Sequence, residues 1–130
     1  MSTPKTIFCD LDGTLVEHCG NPLAMQNPEY ELKILPGVKE ALIDWDKKRY
    51  HIVITTGRKE SAREATVKQL QKVGILYDQL IMGFGGGDRI LINDMKTNSK
   101  RNTAHAINLV RNKGVKNVNI WKKYIRARRF

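Results

Sequence analysis

The sequence predicts an α/β fold, built as one three-layer domain around a mainly parallel sheet of about five strands. Three observations predict it. Short apolar, β-branched runs alternate with segments of helical period along the chain. Acids or hydroxyls close several of those runs, where the carboxyl edge of a parallel sheet would gather them. The chain has 130 residues, 41% of them hydrophobic, which suits a single globular core rather than a disordered or fibrous protein.

The elements follow in order. Lys5 to Asp10 reads as a buried strand centred on Ile7 and Phe8. Residues 13–35 hold no sustained period and contain Gly13, Gly20, Asn21, Pro22, Asn27 and Pro28, which predicts a long loop. Loops of that length in compact domains usually serve function. Pro36 opens a helix whose Val38, Ala41, Leu42 and Trp45 share one face. His51 to Thr55 is a second buried strand, and Thr56-Gly57-Arg58 is a turn. A helix from Lys59 to Val73 stacks Ala62, Ala65, Thr66, Leu70 and Val73, and Gly74 ends it.

Tyr77 to Met82 is a third strand, followed by the loop Gly83-Phe84-Gly85-Gly86-Gly87. Arg89 to Asn93 is a fourth strand ending on Asp94, Ala104 to Lys113 a helix closed by Gly114, and Lys116 to Trp121 a fifth strand. The connection between the third and fourth strands is short for a parallel crossover, which normally takes about a dozen residues. Either an irregular crossover serves there or the two strands pair antiparallel. The arrangement is Rossmann-like, with a domain at 1–121 and a basic tail at 122–130.

Composition narrows the function classes. No apolar run approaches the roughly 18 residues of a membrane span. The opening MSTPKT lacks the pattern of a signal peptide, so a cytoplasmic location is expected. Cys9 and Cys19 are too few for a disulfide framework, and with His18 they fall short of the about four clustered ligands of a zinc site. The net charge is +10, from 23 basic and 13 acidic residues, which points to an anionic substrate or polyanionic partner. The tail carries Lys122, Lys123, Arg126, Arg128 and Arg129 with Tyr124 and Phe130 interleaved. That pattern suits nucleic acid, and equally a solvated or partner-contacting end.

The chemistry gathers at the predicted carboxyl edge. Asp10 and Asp12 follow the first strand, Thr56 and Arg58 the second, and Asp94 the fourth. Hard oxygen ligands of this kind suit Mg²⁺, which takes carboxylates, waters and a phosphate oxygen. Metal and basic groups together neutralise a phosphoryl group in transfer. One carboxylate can then act as nucleophile and another as general acid/base. The glycine loop at 83–87 does not extend this list. Asp88 stands where the third Gly of G-x-G-x-x-G should be, and no Gly-Lys-Ser/Thr follows.

The segment Ile7-Phe8-Cys9-Asp10-Leu11-Asp12-Gly13-Thr14-Leu15-Val16 resembles the first motif of the haloacid dehalogenase (HAD) superfamily, hhhhDxDGThh. Ile52-Val53-Ile54-Thr55-Thr56-Gly57-Arg58 resembles its second motif, and Leu91-Ile92-Asn93-Asp94 its fourth. The resemblance runs from about Lys5 to Trp121 and implies a phosphatase, since an Asp stands in the second acidic position. It implies Asp10 as nucleophile and Asp12 as general acid/base lending a backbone carbonyl to Mg²⁺. Thr56 is the implied phosphoryl-binding hydroxyl, with Thr55 second, and Gly13, Thr14, Gly57 and Arg58 are the substrate-binding set. Asp94 is the implied third metal ligand, and the basic residue of the third motif is Arg89 or Lys96.

The spacing between motifs leaves no room for a cap domain. Capless members either take large substrates into an open site or close it with a neighbouring subunit, so a homo-oligomer is one of two expectations. The loop at 17–35, with His18 and Tyr30, is the candidate lid. The resemblance places a small sugar phosphate first as substrate, and the +10 charge with the basic tail places a nucleic-acid end second. A silent binding protein with this fold comes third, against which the intact Asp10, Asp12, Thr56 and Asp94 argue.

Overall fold

A computed structural model of the chain describes residues 3–98 and 101–116. The chain forms two compact units, Met1–Gly86 with Leu109–Lys116, and Gly87–Asn108 with Asn117–Phe130. Among the described residues, all helices and strands lie in the first unit.

That unit is built on a parallel sheet of β1 (Thr6–Asp10), β2 (His51–Thr55) and β3 (Gln79–Ile81), in the order β1-β2-β3. The register sets Asp10 beside Thr55 and Thr55 beside Ile81, so the carboxyl ends are level. Ile52, Val53 and Ile54 of the central strand are all buried. A continuous apolar run is what a strand covered on both faces requires.

Three helices accompany the sheet: α1 (Pro22–Met25), α2 (Val38–Lys47) and α3 (Arg63–Val73). The second starts two residues later than its proline suggests. Gly37 stands before it at φ 80°, and the Pro36 carbonyl accepts the Val115 amide at 3.0 Å. Val38, Leu42 and Trp45 form its buried stripe, as the period predicts. A 3₁₀ turn at Glu60–Ala62 leads into α3, which Gly74 ends at φ 75°. The buried face of α3 is Ala65, Thr66, Gln69 and Leu70, so a fully enclosed glutamine joins the expected apolar stripe.

The predicted long loop at 13–35 is anchored rather than loose. Leu15, Val16, Cys19, Leu32 and Leu35 are buried in the core. The chain leaves and returns side by side: the Glu17 amide donates to the Lys33 carbonyl at 2.8 Å, and the Leu35 amide to Leu15 at 3.0 Å. Between them the short α1 is capped by the Asn21 side chain, which accepts from the Leu23 amide.

Two expected elements do not form. Residues 89–93 are not a strand, and Ile90, Leu91 and Ile92 are exposed. A strand needs a ladder partner, and the described part of its unit holds only an isolated bridge between Lys96 and Arg101. The choice between a parallel and an antiparallel pairing therefore lapses. Residues 104–113 are not helical either, and they straddle the boundary between the units. A helix this short needs a packed apolar face, whereas Val110 is exposed. The sheet thus has three strands among the described residues. The predicted fifth strand beyond Lys116 and the tail at 122–130 lie outside them. No described helix is long and apolar enough to cross a membrane.

Candidate active site

The first unit carries Asp10, Asp12, Gly13, Thr14, Thr56, Gly57 and Arg58 together at the carboxyl end of its sheet. Asp10 closes β1. The chain then turns tightly: the amides of Thr14, Leu15 and Val16 all point to the Leu11 carbonyl, and the Gly13 amide donates to Val16 at 2.7 Å. Gly13 sits at φ 90°, a conformation that costs an L-residue energy. Leu11 is completely buried. With alternate residues turned inward, the turn keeps Asp10 exposed at its rim and brings the Thr14 hydroxyl to 3.5 Å from Asp10 Oδ2.

Asp12 is held from the other side. Arg58 Nε donates to Asp12 Oδ2 at 2.9 Å and Nη2 to Oδ1 at 2.8 Å. This is the bidentate fork that makes arginine–carboxylate pairs strong and directional. The remaining nitrogen, Nη1, donates to Thr66 Oγ1 at 3.1 Å and Gln69 Oε1 at 2.7 Å. Arg58 is 3% exposed. Expected at the substrate, it is turned inward, with all three guanidinium nitrogens spent on protein partners.

Thr56 is also enclosed. Its hydroxyl accepts the Arg58 amide at 3.2 Å, its own amide donates to Ile81, and its carbonyl accepts from Phe84. Thr55, the second choice, is half-buried and donates to the Cys9 carbonyl at 3.4 Å. Gly57 lies against the Gly85 carbonyl so closely that a Cβ would collide with it. Gly85 of the glycine loop thus packs backbone to backbone on the second motif.

Burial shapes the thiol beside the nucleophile position. The Cys9 pKa is pushed up to about 12, chiefly by desolvation and then by the neighbouring Asp10 charge. It stays a protonated, inert core residue.

Arg89, Asp94 and Lys96 belong to the second unit. Arg89 Nη1 donates to the Gly87 carbonyl, the Asp94 carbonyl accepts from the Thr103 hydroxyl, and the Lys96 amide pairs with Arg101. Among the described residues no three acidic, His or Cys side chains converge on one point. A magnesium ion does not need three, since it keeps several waters and takes phosphate oxygens. The exposed Asp10 carboxylate is a hard oxygen donor of the right kind.

Gln69 and Arg111 escaped the sequence reading, and Thr66 stood in it only as part of the helix stripe. Gln69 and Thr66 were legible in part, because both fall on the buried period of α3 and a polar residue on such a stripe flags a buried network. Arg111, whose stem would lie 3.1 Å from a Cβ on Gly13, had no local signal.

Comparison with known proteins decides the family. The model of the haloacid dehalogenase-like hydrolases matches residues 7–87, more than half of the chain. The chain belongs to this family. Asp10 and Asp12 of the first motif fall within the stretch that this haloacid dehalogenase-like hydrolase shares with the family. A chain of a Pnkp1/Rnl/Hen1 complex is similar at 31% identity and TM-score 0.54, over 68% of this chain and 31% of that one. A chain of the Pnkp1/Rnl/Hen1 RNA repair complex is similar at 28% identity and TM-score 0.52, over 74% and 29%. The present chain therefore spans about a third of the length of these relatives. A protein from Vibrio cholerae shares the fold at 23% identity and TM-score 0.50, over 68% and 79%. No curated protein matches the chain.

Proposed function

We propose that this hydrolase is a magnesium-dependent phosphomonoesterase with Asp10 as nucleophile and Asp12 as general acid/base. The observation that carries this is the pairing of an exposed Asp10 with an Asp12 gripped on both oxygens by buried Arg58. Two carboxylates two residues apart are thus given different surroundings and different tasks.

In the first half-reaction an Asp10 oxygen attacks phosphorus. The ester P–O bond breaks, and Asp12 in its acid form gives its proton to the departing alcohol. In the second half, water attacks the aspartyl-phosphate, Asp12 takes a proton from it, and the Asp10–phosphorus bond breaks to release inorganic phosphate. Each carboxylate oxygen of Asp12 keeps a lone pair beyond the one used by Arg58, so the fork leaves room for this traffic. The Asp10 carboxylate and the Asp12 carbonyl would hold a magnesium ion, to which the family pattern adds Asp94, and the ion would supply charge neutralisation for the phosphoryl oxygens. The Gly13–Thr14 turn is the proposed phosphoryl contact, and Thr56, enclosed with its hydroxyl accepting the Arg58 amide, would have to be uncovered to join it. Arg89 and Lys96 both stand as the third-motif base.

For the substrate, a phosphorylated nucleic-acid end is now favoured over the small sugar phosphate. The +10 charge suits a polyanion, and the relatives at 31% and 28% identity come from complexes of which one is described as an RNA repair complex. Hydrolysis of 3′- and 5′-phosphorylated oligonucleotides, beside a panel of sugar phosphates, tests both. Turnover that requires Mg²⁺ and disappears in Asp10→Asn supports the reaction, and the preferred class names the substrate. Turnover unaffected by Asp10→Asn would refute it.

A further inference from the structure

The hydrogen bonds of one buried amide link the candidate acid/base to the segment at 24–27. Gln69 is completely enclosed in α3. Its Oε1 accepts from Arg58 Nη1 at 2.7 Å, and its Nε2 donates to the Ala24 carbonyl at 2.9 Å and the Asn27 carbonyl at 2.7 Å. A flipped amide would set its oxygen against two carbonyls and its NH₂ against a guanidinium donor, so only one orientation satisfies all three. The Ala24 carbonyl within α1 and the Asn27 carbonyl just beyond it therefore dictate where Oε1 points. Oε1 in turn seats the guanidinium whose other two nitrogens hold Asp12.

We infer that Gln69 is a positioning residue for Asp12, acting through Arg58 and oriented by docking of the segment at 24–27, the end of α1 and the residues after it. The inference rests on the proposed role of Asp12 as proton donor and acceptor. It adds that the segment expected as a lid is wired to the acid/base. Catalytic geometry held by such supporting contacts is sensitive to displacements well under a bond length.

The test uses leaving groups. Proton donation matters most for poorly acidic alcohols and little for activated phenols. The full chain is assayed for kcat/KM with Mg²⁺ on aryl and alkyl phosphates spanning leaving groups from activated to poor, for wild type, Gln69→Met and Thr66→Val. Thr66→Val is nearly isosteric and removes the other Nη1 acceptor, so it carries the test should Gln69→Met fold poorly. The expected result is a loss of roughly tenfold or more on the poorest leaving group and under about twofold on the most activated, giving a steeper dependence. A variant that melts cooperatively yet runs parallel to wild type across the series overturns the inference, because a purely structural role lowers all esters alike. Wild type without turnover on any ester sinks the proposed reaction instead, and this inference with it.

Discussion

The guanidinium of Arg58 grips both carboxylate oxygens of Asp12 across 46 residues of sequence, at 2.9 and 2.8 Å. The side chains are 1% and 11% exposed, so the pair is largely shielded from bulk water. Removing one partner strands the other. Arg58→Met should therefore destabilise the fold by about 3–5 kcal/mol in urea denaturation. The double variant Arg58→Met with Asp12→Leu should recover a large part of that loss. A single variant as stable as wild type would show that the pair does not persist in solution.

Deleting the proposed nucleophile should separate chemistry from stability. Asp10 is exposed, so Asp10→Asn should melt within about 0.5 kcal/mol of wild type. Its kcat should nevertheless fall by at least on the order of 10³-fold, the scale of losing a nucleophile. Paired melting and steady-state assays check both halves.

Magnesium removal gives a third expectation. EDTA should abolish turnover and added Mg²⁺ restore it, while Asp94→Asn should raise the Mg²⁺ concentration for half-maximal rate by roughly tenfold or more. A metal titration of wild type and variant reads this directly. An unchanged titration would remove Asp94 from the ligand set.

Gly57 tests the backbone packing under the second motif. A methyl group there meets the Gly85 carbonyl oxygen, which is main chain and cannot rotate away. Gly57→Ala should cost about 1–3 kcal/mol, whereas Gly20→Ala, which meets nothing nearby, should stay within about 0.5 kcal/mol. Chemical denaturation of the two variants side by side gives the comparison.

Cys9 sets a pH dependence whose sign is determined by burial. Its pKa is raised from 9.0 to about 12 in the folded chain, so the folded state holds the proton more tightly than the unfolded one. The stability linked to this thiol is fully present below pH 9 and is lost progressively as pH rises from there toward about 12. Cys9→Ala should flatten that part of the stability profile. Equal alkaline slopes for wild type and variant would contradict the assignment.

Much of the site was legible because its signals are local. Asp10, Asp12 and Gly13 are fixed in relation to one another by a tight turn and a positive φ, and Thr56-Gly57-Arg58 by the end of an apolar strand. The helix stripes at 38–45 and 65–70 follow from their period. The task of Arg58 was not legible, because its partners Asp12, Thr66 and Gln69 come from three separate segments. The strand expected at 89–93 and the helix expected at 104–113 failed for a related reason. Their residues have suitable local preferences, but such preferences form an element only where a partner surface covers it.

By itself the sequence determined the parallel α/β scheme of the first unit, its apolar core and the acidic motif that closes β1. These depend on periodicity, chirality and turn chemistry within a few residues of each position. Only the tertiary structure decided that Arg58 faces Asp12 rather than the substrate edge, and that Gln69 joins the loop at 24–27 to that pair. Those outcomes depend on which buried donors and acceptors meet once distant segments pack, and on the high cost of leaving any of them unsatisfied.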